Sequence, residues 1–142
     1  MTPVAHRPFS AEWAAAFHAA IEADAEYREA AARWTWPVAF VLDAAPEFGY
    51  ADPVAVELAL DRGRCHGAAL VAPESLTAPF VLRAAYPTWK AIVRGELAVI
   101  SAVIRKLVSV EGSMATLMLH TRSATALVAC AQRVPTHFPD ES

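Results

Sequence analysis

Five histidines (His6, His18, His66, His120, His137) and two cysteines (Cys65, Cys130) are the residues best suited to hold a metal or to attack an electrophile. A zinc site needs such side chains at short, converging spacings. No histidine here stands at ligand spacing from another histidine or a carboxylate. Cys65 and His66 are neighbours in a strand-like run, so their side chains point to opposite faces. Cys130 lies among small apolar residues of a helical stretch and reads as a buried thiol, without the base that would activate it. Glu47, Asp52 and Glu57 cluster around FGYADP, but as a loop and a solvated strand face rather than an acid–base pair. Glycine-rich phosphate-binding loops are absent, and five glycines leave little room for one. Ser113 sits between a strand and a helix without a G-x-S-x-G elbow, and reads as a helix cap. The chain is therefore expected to be no enzyme and to carry no cofactor or metal.

The remaining informative residues are apolar. Hydrophobic residues make up 56% of the 142 and charged residues 19%, more apolar and less charged than an average domain. Arg122, Glu74, Arg83 and Lys90 interrupt the long apolar stretches, so no run reaches the roughly 18 residues of a membrane-spanning helix. The excess must be buried or must line a cavity. MTPVAHRPFS has no apolar leader, so a cytoplasmic protein with reduced thiols is expected. A net charge of −3 with scattered cations predicts no nucleic-acid partner. Trp34, Trp36, Trp89, Met114 and Met118 are either core or the walls of an apolar site.

Elements must position these residues. Ser10 caps a helix that alanine-rich sequence carries from Ala11 to about Arg33. Pro37–Leu42 is a short strand, and Val54–Asp61 alternates apolar and polar residues as a strand with one wet face. Arg62-Gly63-Arg64 turns the chain back into Cys65–Ala72, making a hairpin. Phe80–Ala85 is a fourth strand. Pro87 opens a helix that Gly95 ends. Ile100, Val103, Ile104 and Leu107 mark the next helix, Val108–Glu111 is a fifth strand, and Ser113 caps a last helix that Met114, Leu117, Met118, Leu127, Val128 and Ala131 fit. Strands followed by helices predict an α+β fold: a mostly antiparallel five-stranded sheet covered by helices on one face. One domain is expected over 1–142, with its ordered core from about residue 10 to residue 134.

The pieces YPTWKAIVRGEL, AVIRKLVSVEGS and ALVACAQRVPTHF, with Trp89, Gly95, Leu107, Val110 and Gly112 foremost, resemble the sterol carrier protein 2 (SCP2) family. The likeness is one of motif in the C-terminal half and of element order in the N-terminal half. It implies helices over a five-stranded sheet and an apolar tunnel between them for lipids, fatty acyl groups or sterols. It also implies a non-catalytic domain.

The resulting expectation is a carrier that binds, and could transfer, a hydrophobic small molecule. Its site set is Trp89, Ile92, Val93, Ile100, Val103, Ile104, Met114, Leu117 and Met118. The alternative is an accessory, protein-interacting domain of the same fold with a filled core. A homodimer and transient membrane contact are compatible with either.

Overall fold

The computed structural model describes residues 4–141. The chain runs α1 (Ala11–Glu22), α2 (Ala25–Ala30), β1 (Val38–Leu42), β2 (Val54–Asp61), β3 (Arg64–Val71), β4 (Phe80–Ala84), α3 (Tyr86–Val93), α4 (Val99–Ile104), β5 (Ser109–Glu111), α5 (Met114–Leu119) and α6 (Thr121–Gln132). The strands form one sheet in the order β3-β2-β1-β4-β5. Three pairs are antiparallel and β1–β4 is parallel. The fold is α+β and mostly antiparallel, as the patterning predicts.

The two faces of the sheet differ, and the period of two says how. Val38, Phe40 and Leu42 of β1 point into the large core under the helices. Ala39 and Val41 point the other way, onto a small cluster with Ala55 and Val81. That second face is covered by the loop after β3, where Leu76 and Ala78 pack. Glu57 holds the loop by accepting hydrogen bonds from the N–H groups of Thr77 and Ala78, both at 2.9 Å.

The long first helix expected over 11–33 is instead two helices. Asp24 explains the break. Its carboxylate accepts from the Glu26 N–H at 3.0 Å and so caps α2, offering the backbone a better partner than continuation would. Asp24 is buried, and burial alone would push its carboxyl up. Hydrogen bonds from the Cys130 thiol (3.1 Å) and Glu26 N–H, with the Arg133 guanidinium at 3.0 Å, outweigh this and hold it below the usual carboxylate range. The expected single C-terminal helix also divides, at His120. That residue leaves helical geometry (φ −121°, ψ 35°), and its imidazole packs edge-on against Trp34 and Trp36, with centroids at 5.3 and 5.8 Å.

The edge strand β3 is finished by α1. The Glu22 carboxylate accepts from the Cys65 N–H at 3.1 Å, and the His18 ring meets the Cys65 carbonyl at 2.7 Å. Side chains thus satisfy edge groups that would otherwise invite another strand. Glu22 also receives a bidentate clasp from Arg64. At the other end of the chain, Phe138 is buried and Asp140 accepts hydrogen bonds from the Tyr86 hydroxyl (2.7 Å) and Lys90 (2.9 Å) on α3.

Candidate functional site: two apolar spaces and the wall between them

The nine residues expected at a site divide into a group of three on α3, a group of four on α4 and α5, and Ile100 and Leu117, which stand apart. The α3 group is core. Trp89 closes a ring of stacked and tilted aromatics with Phe9, Trp13, Phe17 and Phe40, with centroid separations between 5.2 and 6.1 Å. Its indole N–H donates to the Val41 carbonyl at 2.9 Å, which satisfies the polar end of the ring system. Ile92 and Val93 are buried beside it. The space bounded by Phe9, Trp89 and Val93 is filled, at about 0 Å³.

The other group borders open space. Val103 and Ile104 of α4, Met114 and Met118 of α5, and Val108, Ser109 and Val110 around β5 line a surface groove of about 490 Å³, with Lys106 at its rim. That volume falls in the range of about 300–1,000 Å³ usual for small-molecule sites. Ile100 is half-buried against the main core.

Leu117 belongs to a second space. Between the sheet and α4–α6 lies a narrow cavity of about 30 Å³, lined by Trp34, Val38, Phe40, Phe80, Val99, Leu117, Leu127 and Val128 among others. Its walls are almost wholly apolar. Ser123, which also borders it, spends its hydroxyl on the His120 carbonyl at 2.9 Å. At about one water's share of liquid volume, the cavity holds no acyl chain as it stands.

The same two helices face both spaces. On α4, Val99 turns inward while Val103 and Ile104 border the groove. On α5, Leu117 turns inward while Met114 and Met118 border the groove. On α5 the spacing places Met114 and Met118, four apart, together on the groove side. Helix α5 is six residues long and buries only Leu117 fully. A helix this short has no stability of its own and stands by its packing. Its N-terminus is fixed by Ser113, whose hydroxyl accepts from the Thr116 N–H at 3.1 Å. The hinge before it is Gly112 (φ +117°), where a Cβ would come within 2.7 Å of the Pro79 carbonyl oxygen.

Reading the sequence alone offers Trp34 as core or wall without placing it in the site set, and misses Phe80, Leu127 and Val128 as inner walls and Val108 and Val110 as groove floor. Helical periodicity marks Leu127 and Val128 as an inward face. Nothing local tells that their face meets a void and that of Trp89 does not. Both thiols are buried, that of Cys65 donating to the Gly67 carbonyl at 3.3 Å and that of Cys130 to the Asp24 carboxylate at 3.1 Å. Burial pushes Cys65 up to about 11 and Cys130, with Asp24 beside it, up to about 12, so both stay protonated at neutral pH.

No protein-family model and no curated protein matches the chain. Solved structures do. A crystal structure of a sterol carrier protein 2 is 32% identical, with a TM-score of 0.86 over 90% of this chain and 99% of that one. A conserved hypothetical protein from Thermus thermophilus, suggested as a sterol carrier protein, is 31% identical, with a TM-score of 0.85 over 95% and 94% of the two chains. The apo form of sterol carrier protein 2 from Yarrowia lipolytica, at 11% identity and a TM-score of 0.54, shares the fold over 88% of this chain and 98% of that one.

Proposed function

This chain belongs to the sterol carrier protein 2 family, and on that premise we propose that it is a non-catalytic carrier of a hydrophobic small molecule such as a fatty acyl group or a sterol. The ligand lies between the sheet and α4–α6, in an enlarged form of the inner cavity. The observation that carries this reading is the α4–α5 wall, apolar on both sides, with a small cavity of about 30 Å³ behind it and a groove of about 490 Å³ in front.

Entry requires α5 to swing out on Gly112 and withdraw Leu117. Taking a leucine side chain out of its apolar seat costs about 1.5–3 kcal/mol, and each ligand methylene buried returns about 0.8 kcal/mol. Two to four methylenes therefore offset the opening, and a longer chain leaves a surplus against the cost of association. Such a site discriminates by apolar length and shape more than by polar contacts. The protonated, buried thiols fit a protein that holds its ligand and does not react with it.

Organic extraction of the purified protein followed by mass spectrometry tests the proposal, together with a fatty-acid titration read by tryptophan fluorescence. Trp34 stands in the wall of the inner cavity and reports its filling. A co-purifying lipid, or a saturable fluorescence change, is expected. Absence of both sinks the reading and leaves a domain whose core is filled by its own side chains.

A further inference from the structure

We propose that the Tyr27 hydroxyl is the polar anchor of the inner cavity, and that it donates its proton to a single neutral oxygen at the inserted end of the cargo. The inference rests on the carrier reading and adds the chemical class that the cavity selects. That class is an otherwise apolar molecule with one terminal hydroxyl or carbonyl, as in a long-chain alcohol or a sterol.

Three residues of the cavity wall carry a polar side-chain group: Tyr27, Trp34 and Ser123. Two are engaged. The Trp34 indole N–H donates to the Trp36 carbonyl at 2.7 Å, and the Ser123 hydroxyl to the His120 carbonyl at 2.9 Å. Tyr27 is 1% exposed, and among the described residues no protein atom pairs with its hydroxyl. The other two tyrosines are satisfied, Tyr50 by the Pro8 carbonyl and Tyr86 by Asp140. A buried tyrosine ordinarily finds a partner for its O–H, and one left unpaired bears the full cost of desolvation. Among the described residues no fully enclosed side-chain nitrogen or oxygen lacks a partner. The Tyr27 oxygen therefore borders open space, and the space its side chain lines is the cavity.

The rest of the wall decides what pairs with it. No charged side chain lines the cavity, so an ionised carboxylate inserted head first would be desolvated without a counter-ion. Fatty acids therefore enter tail first and leave the carboxylate outside, away from Tyr27. Burial, and then the Cys65 and Cys130 thiols, hold the Tyr27 hydroxyl above its ordinary value, so it remains a donor. A lone donor among apolar side chains suits one neutral acceptor. It suits a water poorly, since a buried water takes about three polar partners and this wall offers one free polar side chain. The anchor also stands on the fixed side of the cavity. Helix α2 is capped by Asp24 and packs against α1 and α6, so Tyr27 keeps its place when α5 withdraws Leu117.

The experiment titrates wild type and Tyr27→Phe with decanol, decanoate and cholesterol, read by tryptophan fluorescence. Tyr27→Phe is expected to weaken decanol binding about tenfold, the share of one hydrogen bond, and to leave decanoate within about twofold. Thermal unfolding separates an anchor from a structural hydroxyl. Phenylalanine keeps the ring and removes an unpaired polar atom, so the Tm is expected to be unchanged or raised. A lowered Tm overturns the proposal, because the hydroxyl then serves a protein partner. So does an alcohol affinity that the variant leaves unchanged for both decanol and cholesterol, or an equal loss for decanoate. A loss confined to decanol assigns the anchor to linear alcohols, and one confined to cholesterol assigns it to sterols. Binding of decanoate alone overturns the anchor and leaves the carrier reading. Binding of none of the three overturns the carrier reading, and the anchor falls with it.

Discussion

At the end of α3 the chain turns on Gly95, at φ +79°, with the Gly95 N–H bonded to the Ile92 carbonyl at 3.0 Å and the Glu96 N–H to that of Ala91 at 2.8 Å. At the end of α4 the same pair of bonds recurs, from Lys106 to Val103 at 3.0 Å and from Leu107 to Ala102 at 2.8 Å, around a lysine at φ +61°. Both are Schellman stops, in which a left-handed residue lets two orphan carbonyls find partners. Only α3 uses the residue that makes this conformation cheap. The contrast extends to what the helices face. Helix α3 fills a closed aromatic core and is tied down at its outer side by the Tyr86 and Lys90 contacts to Asp140. Helix α4, with α5, is a thin wall between a small void and an open groove. One region is built for stability, and the other carries the strain and exposure expected where a protein meets something else.

The largest effect should come from the fixed region. Trp89→Ala removes one member of the aromatic ring and the hydrogen bond to Val41, and should lower stability by about 3–5 kcal/mol in urea unfolding. A loss below about 1 kcal/mol would mean that α3 is not the anchored element, and the contrast would collapse. Leu117→Ala should cost less, about 2–4 kcal/mol, and should enlarge the inner cavity. Isothermal titration with a short-chain fatty acid is then expected to show tighter binding than wild type, whereas Met118→Ala, half-buried on the groove side, should cost about 1 kcal/mol.

The two stops give a paired test. Gly95→Ala forces a side chain into the left-handed region and should lose about 1 kcal/mol. Lys106→Gly removes the same strain, and should gain up to about 1 kcal/mol less the extra chain entropy of glycine. Opposite signs in thermal unfolding sharpen the comparison, and equal signs break it.

The smallest effect is an acid one, on the fixed side. The Arg64 hydrogen bond, and then the Cys65 N–H, hold the Glu22 carboxyl down to about 2. Its folded-state value lies below the unfolded one, so its contribution is complete above the ordinary glutamate range and is lost as pH falls toward 2. Glu22→Gln should flatten the stability–pH curve in that window and lower its plateau near neutrality, where the wild-type contribution is complete, as read by urea midpoints at successive pH values.

Much of the frame was legible in the residues. Val54–Asp61 forms a strand over the expected span because alternation fixes both its extent and its buried face. Ser10 and Ser113 cap the helices assigned to them, accepting from Trp13 and Thr116 at 3.1 Å, because a serine oxygen before an apolar-periodic run serves the orphan N–H groups there. Two breaks were not legible. Asp24 and His120 interrupt stretches of good helix-forming sequence, and each does so through partners far along the chain: Cys130 and Arg133 for one, Trp34 and Trp36 for the other.

The candidate site shows the same division. Periodicity alone made Trp89, Ile92 and Val93 equivalent to Ile100, Val103 and Ile104, since each set is an apolar face at helical spacing. The sequence determined which faces are apolar, where the strands run, where glycine must stand at Gly112, and hence the family architecture, because these follow from side-chain chemistry and local backbone geometry. Only the tertiary structure decided which apolar face meets packed aromatics and which meets a cavity. A void is a property of how several distant surfaces fail to fill the space between them, and no single segment of sequence contains it.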